Sequence, residues 1–177
     1  MGFSEHLASS APPEPLASDL ATFGRFVGSW DLRWSRPGDP EAPPEVLGEL
    51  HFGWVLGGRA VQDVWIVPRS DSPDAGRGPH AFWGSTIRFY DARLGAWRST
   101  WVEPVTGRVR KFIGRPAGDQ IHLISTDETP FLRWRFTEVS ADRFVWLGEY
   151  STDEARTWQL EEQMIATRRA NTSDSAG

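Results

Sequence analysis

The chain has 177 residues, which suits one domain: long enough to bury a core, and short of the length at which cores divide. Nineteen Lys and Arg against 24 Asp and Glu give a formal net charge of -5, so nothing draws the chain to phosphate backbones, and nucleic acid is not an expected partner. The absence of cysteine excludes disulfides, thiolate nucleophiles and thiolate-bound zinc or iron–sulfur clusters.

Residues 1–15 (MGFSEHLASSAPPEP) and 170–177 (ANTSDSAG) are polar, small or proline-bearing, and are expected to be disordered tails around one domain over 16–169. No basic start followed by an apolar run opens the chain, and no stretch approaches the roughly 18 apolar residues of a membrane helix. A cytoplasmic location without a membrane partner is the expectation. Ser18 or Asp19 can cap a short helix, because Leu20, Phe23 and Val27 recur at helical spacing and Gly28 stops the run.

After Gly28 the chain consists of short segments rich in Trp, Phe, Val and Ile. They span 30–34, 46–54, 59–67, 81–90, 96–103, 108–114, 120–125, 131–139, 143–151 and 158–168. Turn residues such as Gly57-Gly58, Gly107 and Gly118-Asp119 separate them. About ten strands at this spacing predict an all-β, antiparallel up-and-down barrel or sandwich, and the lack of alternating helices disfavours a parallel sheet. Two longer connections, 35–45 and 68–79, are rich in Pro, Gly and Asp and can either lid a barrel mouth or be disordered.

Side chains alternate across a strand, so the more apolar phase of each segment is taken as interior. That places Trp30, Leu32 and Trp34 inside, then Leu50, Phe52 and Trp54, then Val61, Asp63, Trp65 and Val67. Trp97, Ser99, Trp101 and Glu103 share one inward face, as do Leu132, Trp134 and Phe136, and Phe144, Trp146 and Tyr150. The last strand points Trp158, Leu160, Glu162, Met164 and Arg168 inward. In segment 81–90 the phase holding Trp83, Ser85, Ile87 and Phe89 competes with that of Phe82, Thr86, Arg88 and Tyr90, and neither prevails.

Ten tryptophans are many for this length. They can line a pocket for a flat guest, with Trp54, Trp65, Trp83, Trp101, Trp134, Trp146 and Tyr150 as candidate ligand-binding residues, or they can simply fill the core. Asp63, Glu103 and Glu162 stand out as carboxylates on otherwise apolar faces. Each either pairs with an interior arginine such as Arg59 or Arg168, or meets a polar group of a guest. Glu162 with Arg168 looks structural, whereas Glu103, with Asp63, is the candidate acid or base. His6, His51, His80 and His122 are scattered, so no metal site is expected, and no nucleophile elbow or phosphate loop appears.

The segment Phe26-Val27-Gly28-Ser29-Trp30 resembles the Gly-x-Trp start of lipocalin-like (calycin) chains. In those chains the Trp plugs one barrel end and an arginine of the last strand stacks across it, a contact worth about 0.5 to 2 kcal/mol. The resemblance assigns these roles to Trp30 and Arg168. Val55-Leu56-Gly57-Gly58-Arg59, Tyr90-Asp91, Ser99-Thr100-Trp101-x-Glu103 and Tyr150-Ser151-x-Asp153 are similar to a bacterial lipocalin-like domain family of unknown function. The nitrobindin-like haem barrels differ: they carry Gly-x-Trp-x-Gly-x-Gly and an iron-ligating histidine near the C-terminus, whereas the last histidine here is His122. No haem or other cofactor is expected.

Three functions remain open at this level. The first is binding of a small hydrophobic or aromatic metabolite. The second is a cofactor-independent cyclase, isomerase or hydratase acting on a polyketide-like or terpenoid-like molecule through Glu103. The third is a barrel filled by its own side chains.

Overall fold

The computed structural model describes residues 2–170. Each predicted strand is present: β2 (Gly28–Ser35), β3 (Val46–Val55), β4 (Ala60–Val67), β5 (Phe82–Asp91), β6 (Ala96–Glu103), β7 (Arg108–Ala117), β8 (Gln120–Ser125), β9 (Phe131–Thr137), β10 (Arg143–Ser151) and β11 (Gln159–Arg168). Consecutive strands pair antiparallel, and β11 returns to β2, with Met164 opposite Trp34 and Arg168 opposite Trp30. The result is a closed ten-stranded up-and-down barrel. Among the described residues no helix is long and apolar enough to cross a membrane.

Short elements occupy the N-terminal segment. It contains α1 (Phe3–Leu7), β1 (Ala8–Ser9), a 3-10 turn (Glu14–Leu16) and α2 (Ala17–Gly24). Strand β2 stops pairing with β3 at Phe52, which leaves the last turn of β3 with a free edge; Ala8 and Ser9 pair there with Val55 and Trp54. The chain then crosses Gly58 so closely that a Cβ on that glycine would lie 2.1 Å from the Ala11 carbonyl oxygen. Most of the segment 170–177, the other expected tail, lies outside the described residues. Helix α2 follows directly on the 3-10 turn, so Leu16 rather than Ser18 or Asp19 occupies its N-cap position, and no side chain caps it.

One barrel end is closed by α2 and the residues after it. Phe23 meets Trp97 and Phe136 at ring distances of 4.8 and 5.7 Å, and Phe26 meets Phe136 and Phe144 at 5.0 and 4.9 Å. Trp30 donates its indole N–H to the Phe26 carbonyl at 2.8 Å. The Arg168 guanidinium lies 4.0 Å above the Trp30 ring and donates to the carbonyls of Ala141, Val27 and Arg25 at 2.7 to 2.8 Å. Backbone groups that would otherwise be orphaned where the helix meets the barrel are thereby satisfied.

The alternation rule places most interior residues correctly and fails in two strands. In β5 it is Gly84, Thr86 and Arg88 that point inward, and Trp83 and Phe89 are 42% and 45% exposed on the outer wall. The inward phase looks unattractive in the sequence because it holds a glycine and an arginine, and both have partners on neighbouring strands. In β11 a bulge breaks the alternation: Gly148 pairs with Glu162 but Glu149 pairs with Leu160, so Glu161 is an extra residue. Leu160 turns outward, and Trp158, also expected inside, lies under the guanidinium of outward-facing Arg133 at 4.4 Å.

Candidate functional site

Away from α2 the barrel contains a cavity of about 90 Å³. A single water needs about 10–15 Å³, so the barrel interior has room for several waters beside its own side chains. Five of the ten tryptophans line it: Trp34, Trp65, Trp101, Trp134 and Trp146. Four of them form a belt: Trp101–Trp134 and Trp134–Trp146 meet edge-to-face at ring distances of 5.9 and 5.3 Å, and Trp65–Trp146 meet tilted at 5.8 Å. Such pairs add about 0.5–1.5 kcal/mol each beyond area burial and hold the rings in fixed orientations.

Space exists between these rings because two inward positions are glycine. A Cβ on Gly84 would lie 2.3 Å from the Trp101 ring, and one on Gly148 would lie 2.6 Å from the Trp146 ring. Each indole therefore lies back against the bare backbone of a neighbouring position instead of reaching across the barrel.

Polar groups are concentrated at the floor and at the mouth. At the floor the Arg88 guanidinium lies 2.6 Å from the Asp63 carboxylate, and the Thr86 backbone N–H donates to the same carboxylate at 2.8 Å. At the mouth the Trp34 indole N–H donates to Glu162 at 3.1 Å. Burial pushes the Glu162 carboxyl above its ordinary range, the Trp34 hydrogen bond opposes this, and the neighbouring Glu161 charge adds to it. His80 rests against the Trp34 ring at 5.5 Å, its Nδ1 buried without a hydrogen-bond partner among the described residues. Both long connections reach this end: the first supplies Arg36, ion-paired to Glu161, and the second supplies Pro79, His80 and Ala81 to the cavity wall. The second is anchored by the Arg69 N–H to the Leu47 carbonyl at 3.1 Å and the Ser70 N–H to Glu49 at 3.0 Å.

The predicted site residues separate into four groups. Trp65, Trp101, Trp134 and Trp146 line the cavity. Trp54 is at the closed end, its ring against Gly24 of α2, and Trp83 is on the outer wall. Tyr150 stands outside the cavity proper, its hydroxyl donating to Gln159 at 2.8 Å, in a shallow groove that shares Arg36, Leu132 and Glu161 with the cavity mouth. Glu103 and Asp63 are buried as the alternation indicates, and Glu103 also lines the cavity, but both have protein partners. The two Glu103 oxygens accept from the Val105 N–H at 2.6 Å, from the Thr106 N–H at 2.9 Å and from the Thr106 hydroxyl, so this carboxylate holds the β6–β7 turn.

Glu162 meets Trp34, not Arg168, which lies at the opposite barrel end. Arg88, Thr86 and His80 were not anticipated as site residues. For Arg88 a signal existed: an aspartate on an apolar inward phase needs a cation, and β5 offers one inward arginine. Among the described residues no group of three or more His, Asp or Glu side chains is placed to hold a metal ion.

Neither protein-family models nor curated proteins yield a match to the sequence. Solved structures do. An S-type phycobiliprotein lyase, CPES, from Guillardia theta superposes with a TM-score of 0.55 at 13% identity, over 86% of this chain and 93% of that one. The M. tuberculosis protein Rv2717c superposes with a TM-score of 0.56 at 14% identity, over 85% of this chain and 97% of that one. At such identities the likeness is one of fold, and the chain is a closed up-and-down barrel of the kind these two proteins share.

Proposed function

We propose that the barrel binds a small, largely apolar or aromatic molecule between the faces of Trp65, Trp101, Trp134 and Trp146. The observation that carries this is the pairing of Trp101 and Trp146 with Gly84 and Gly148, which keeps an aromatic-walled space open where ordinary packing would close it. Membership of the lipocalin-like bacterial family is part of the same proposal and is supported by the Trp30–Arg168 stack. The phycobiliprotein lyase shows that a barrel of this shape occurs in a protein named for chemistry on other molecules, which fits an interior put to use.

The neutral fluorophore N-phenyl-1-naphthylamine tests the proposal. Saturable emission with one site per chain, accompanied by quenching of tryptophan fluorescence, is the expected result; emission no higher than in buffer rejects it. The alternative, a cofactor-independent cyclase, isomerase or hydratase with Glu103 as acid or base and Asp63 beside it, has less support. Both Glu103 oxygens serve the turn, and Asp63 faces Arg88. A Glu103→Gln variant that keeps its fold but loses ligand affinity or turnover would restore it.

A further inference from the structure

Where Thr86 and Arg88 line the cavity, they form with Asp63 and Ser99 behind them a cluster of four polar side chains, each no more than 2% exposed. Strand register brings them together: Asp63 is opposite Thr86 across β4 and β5, and Arg88 is opposite Ser99 across β5 and β6. Charge is balanced within the cluster by the Arg88–Asp63 contact. Hydrogen bonding is not. Beyond that contact, Arg88 Nε, Thr86 Oγ1 and Ser99 Oγ have no hydrogen-bond partner among the described residues.

Buried polar atoms in native proteins are nearly always paired, because leaving one unpaired forfeits its hydration. Three unpaired atoms in one cluster, with Thr86 and Arg88 lining the cavity, therefore call for a partner that arrives from the cavity. The other side is sealed: the guanidinium lies 4.7 Å from the Phe23 ring and 5.5 Å from the Phe52 ring.

We propose that this floor recognises one neutral hydrogen-bond acceptor, the carbonyl oxygen of an aromatic guest that enters carbonyl first. This rests on the cavity-binding function above. Neutrality follows from the charge count. Asp63 already offsets Arg88, so a carboxylate would be a second anion beside one cation, buried without compensation. A carbonyl accepts from Arg88 and Thr86 and adds no net charge. A hydrocarbon of the same shape leaves those donors unpaired, which is the situation in which binding sites discriminate most strongly.

Three probes of one shape test it by competition against N-phenyl-1-naphthylamine: 2-acetylnaphthalene, 2-isopropylnaphthalene and 2-naphthoate. The ketone is expected to bind about tenfold or more tighter than the hydrocarbon, with the carboxylate weakest. Asp63→Asn combined with Arg88→Met removes both charges together and should abolish the ketone preference while the hydrocarbon still binds. Thr86→Val, a milder change, should reduce the preference by about two- to tenfold and serves if the double variant does not fold. A hydrocarbon that binds as tightly as the ketone, or a carboxylate that binds tightest, overturns the floor proposal and leaves cavity binding standing. Failure of all three probes and of the fluorophore overturns both.

Discussion

Glu103 and Glu162 are two carboxylates at the same barrel end, and their surroundings give them opposite characters. Glu103 is held by turn donors, whereas Glu162 has one indole N–H, a neighbouring carboxylate and little water, and burial raises its pKa from the ordinary value of 4.5. A carboxyl raised in the folded chain favours folding while protonated. The stability it contributes is fully present below the unfolded value and is lost as pH rises through the folded one. Urea denaturation of wild type and Glu162→Gln should therefore show the wild type losing ground to the variant as pH climbs from the ordinary carboxylate range toward neutrality. A difference that stays constant with pH would mean that Glu162 is well solvated. Both carboxylates could be placed inside from sequence because a period of two needs only the neighbouring residues. Their roles could not, since a turn donor and a cavity wall look alike one strand at a time. His80 was missed for a simpler reason: it sits in a proline- and glycine-rich connection where no periodicity assigns a direction.

Among the elements, β5 and β6 decide whether the cavity exists. Trp101 of β6 lies across Gly84 of β5, and a single added methyl at Gly84 would stand 2.3 Å from its ring, so the indole must swing toward the space the guest would use. Gly84→Ala is accordingly expected to weaken binding of N-phenyl-1-naphthylamine by about tenfold or more, through lost cavity volume, while the barrel stays folded. Unchanged affinity would show that the guest does not sit against Trp101. The ten barrel strands were legible because aromatic and branched residues recur between glycine and aspartate turns. The direction of β5 was not, because its inward phase is chosen by partners on β4 and β6, and strand-by-strand apolarity cannot register them. The β11 bulge was equally hidden: Trp158, Leu160 and Glu162 alternate without interruption in the sequence, yet the extra residue Glu161 puts the first two outside. The pairing of β1 with β3 depends on where β2 stops, which the N-terminal composition does not encode.

For the whole molecule, the ten tryptophans fall into three sets. Trp30, Trp54 and Trp97 pack the closed end beneath α2 and the N-terminal segment; Trp34, Trp65, Trp101, Trp134 and Trp146 wall the cavity; Trp83 and Trp158 are on the outer surface. Sequence reasoning foresaw an aromatic interior but not this division, because a closed barrel makes depth along its axis as decisive as the inward or outward phase. Depth is set by strand register. The division gives the central claim a direct test, since each indole N–H is a separate reporter. In a 1H–15N correlation spectrum, assigned by single Trp→Phe variants and titrated with N-phenyl-1-naphthylamine, the five cavity indoles should shift together and saturate at one equivalent. Those of Trp30, Trp54, Trp97, Trp83 and Trp158 should remain in place. Shifts confined to Trp83 and Trp158, or none among the cavity five at saturation, would contradict a ligand-binding interior.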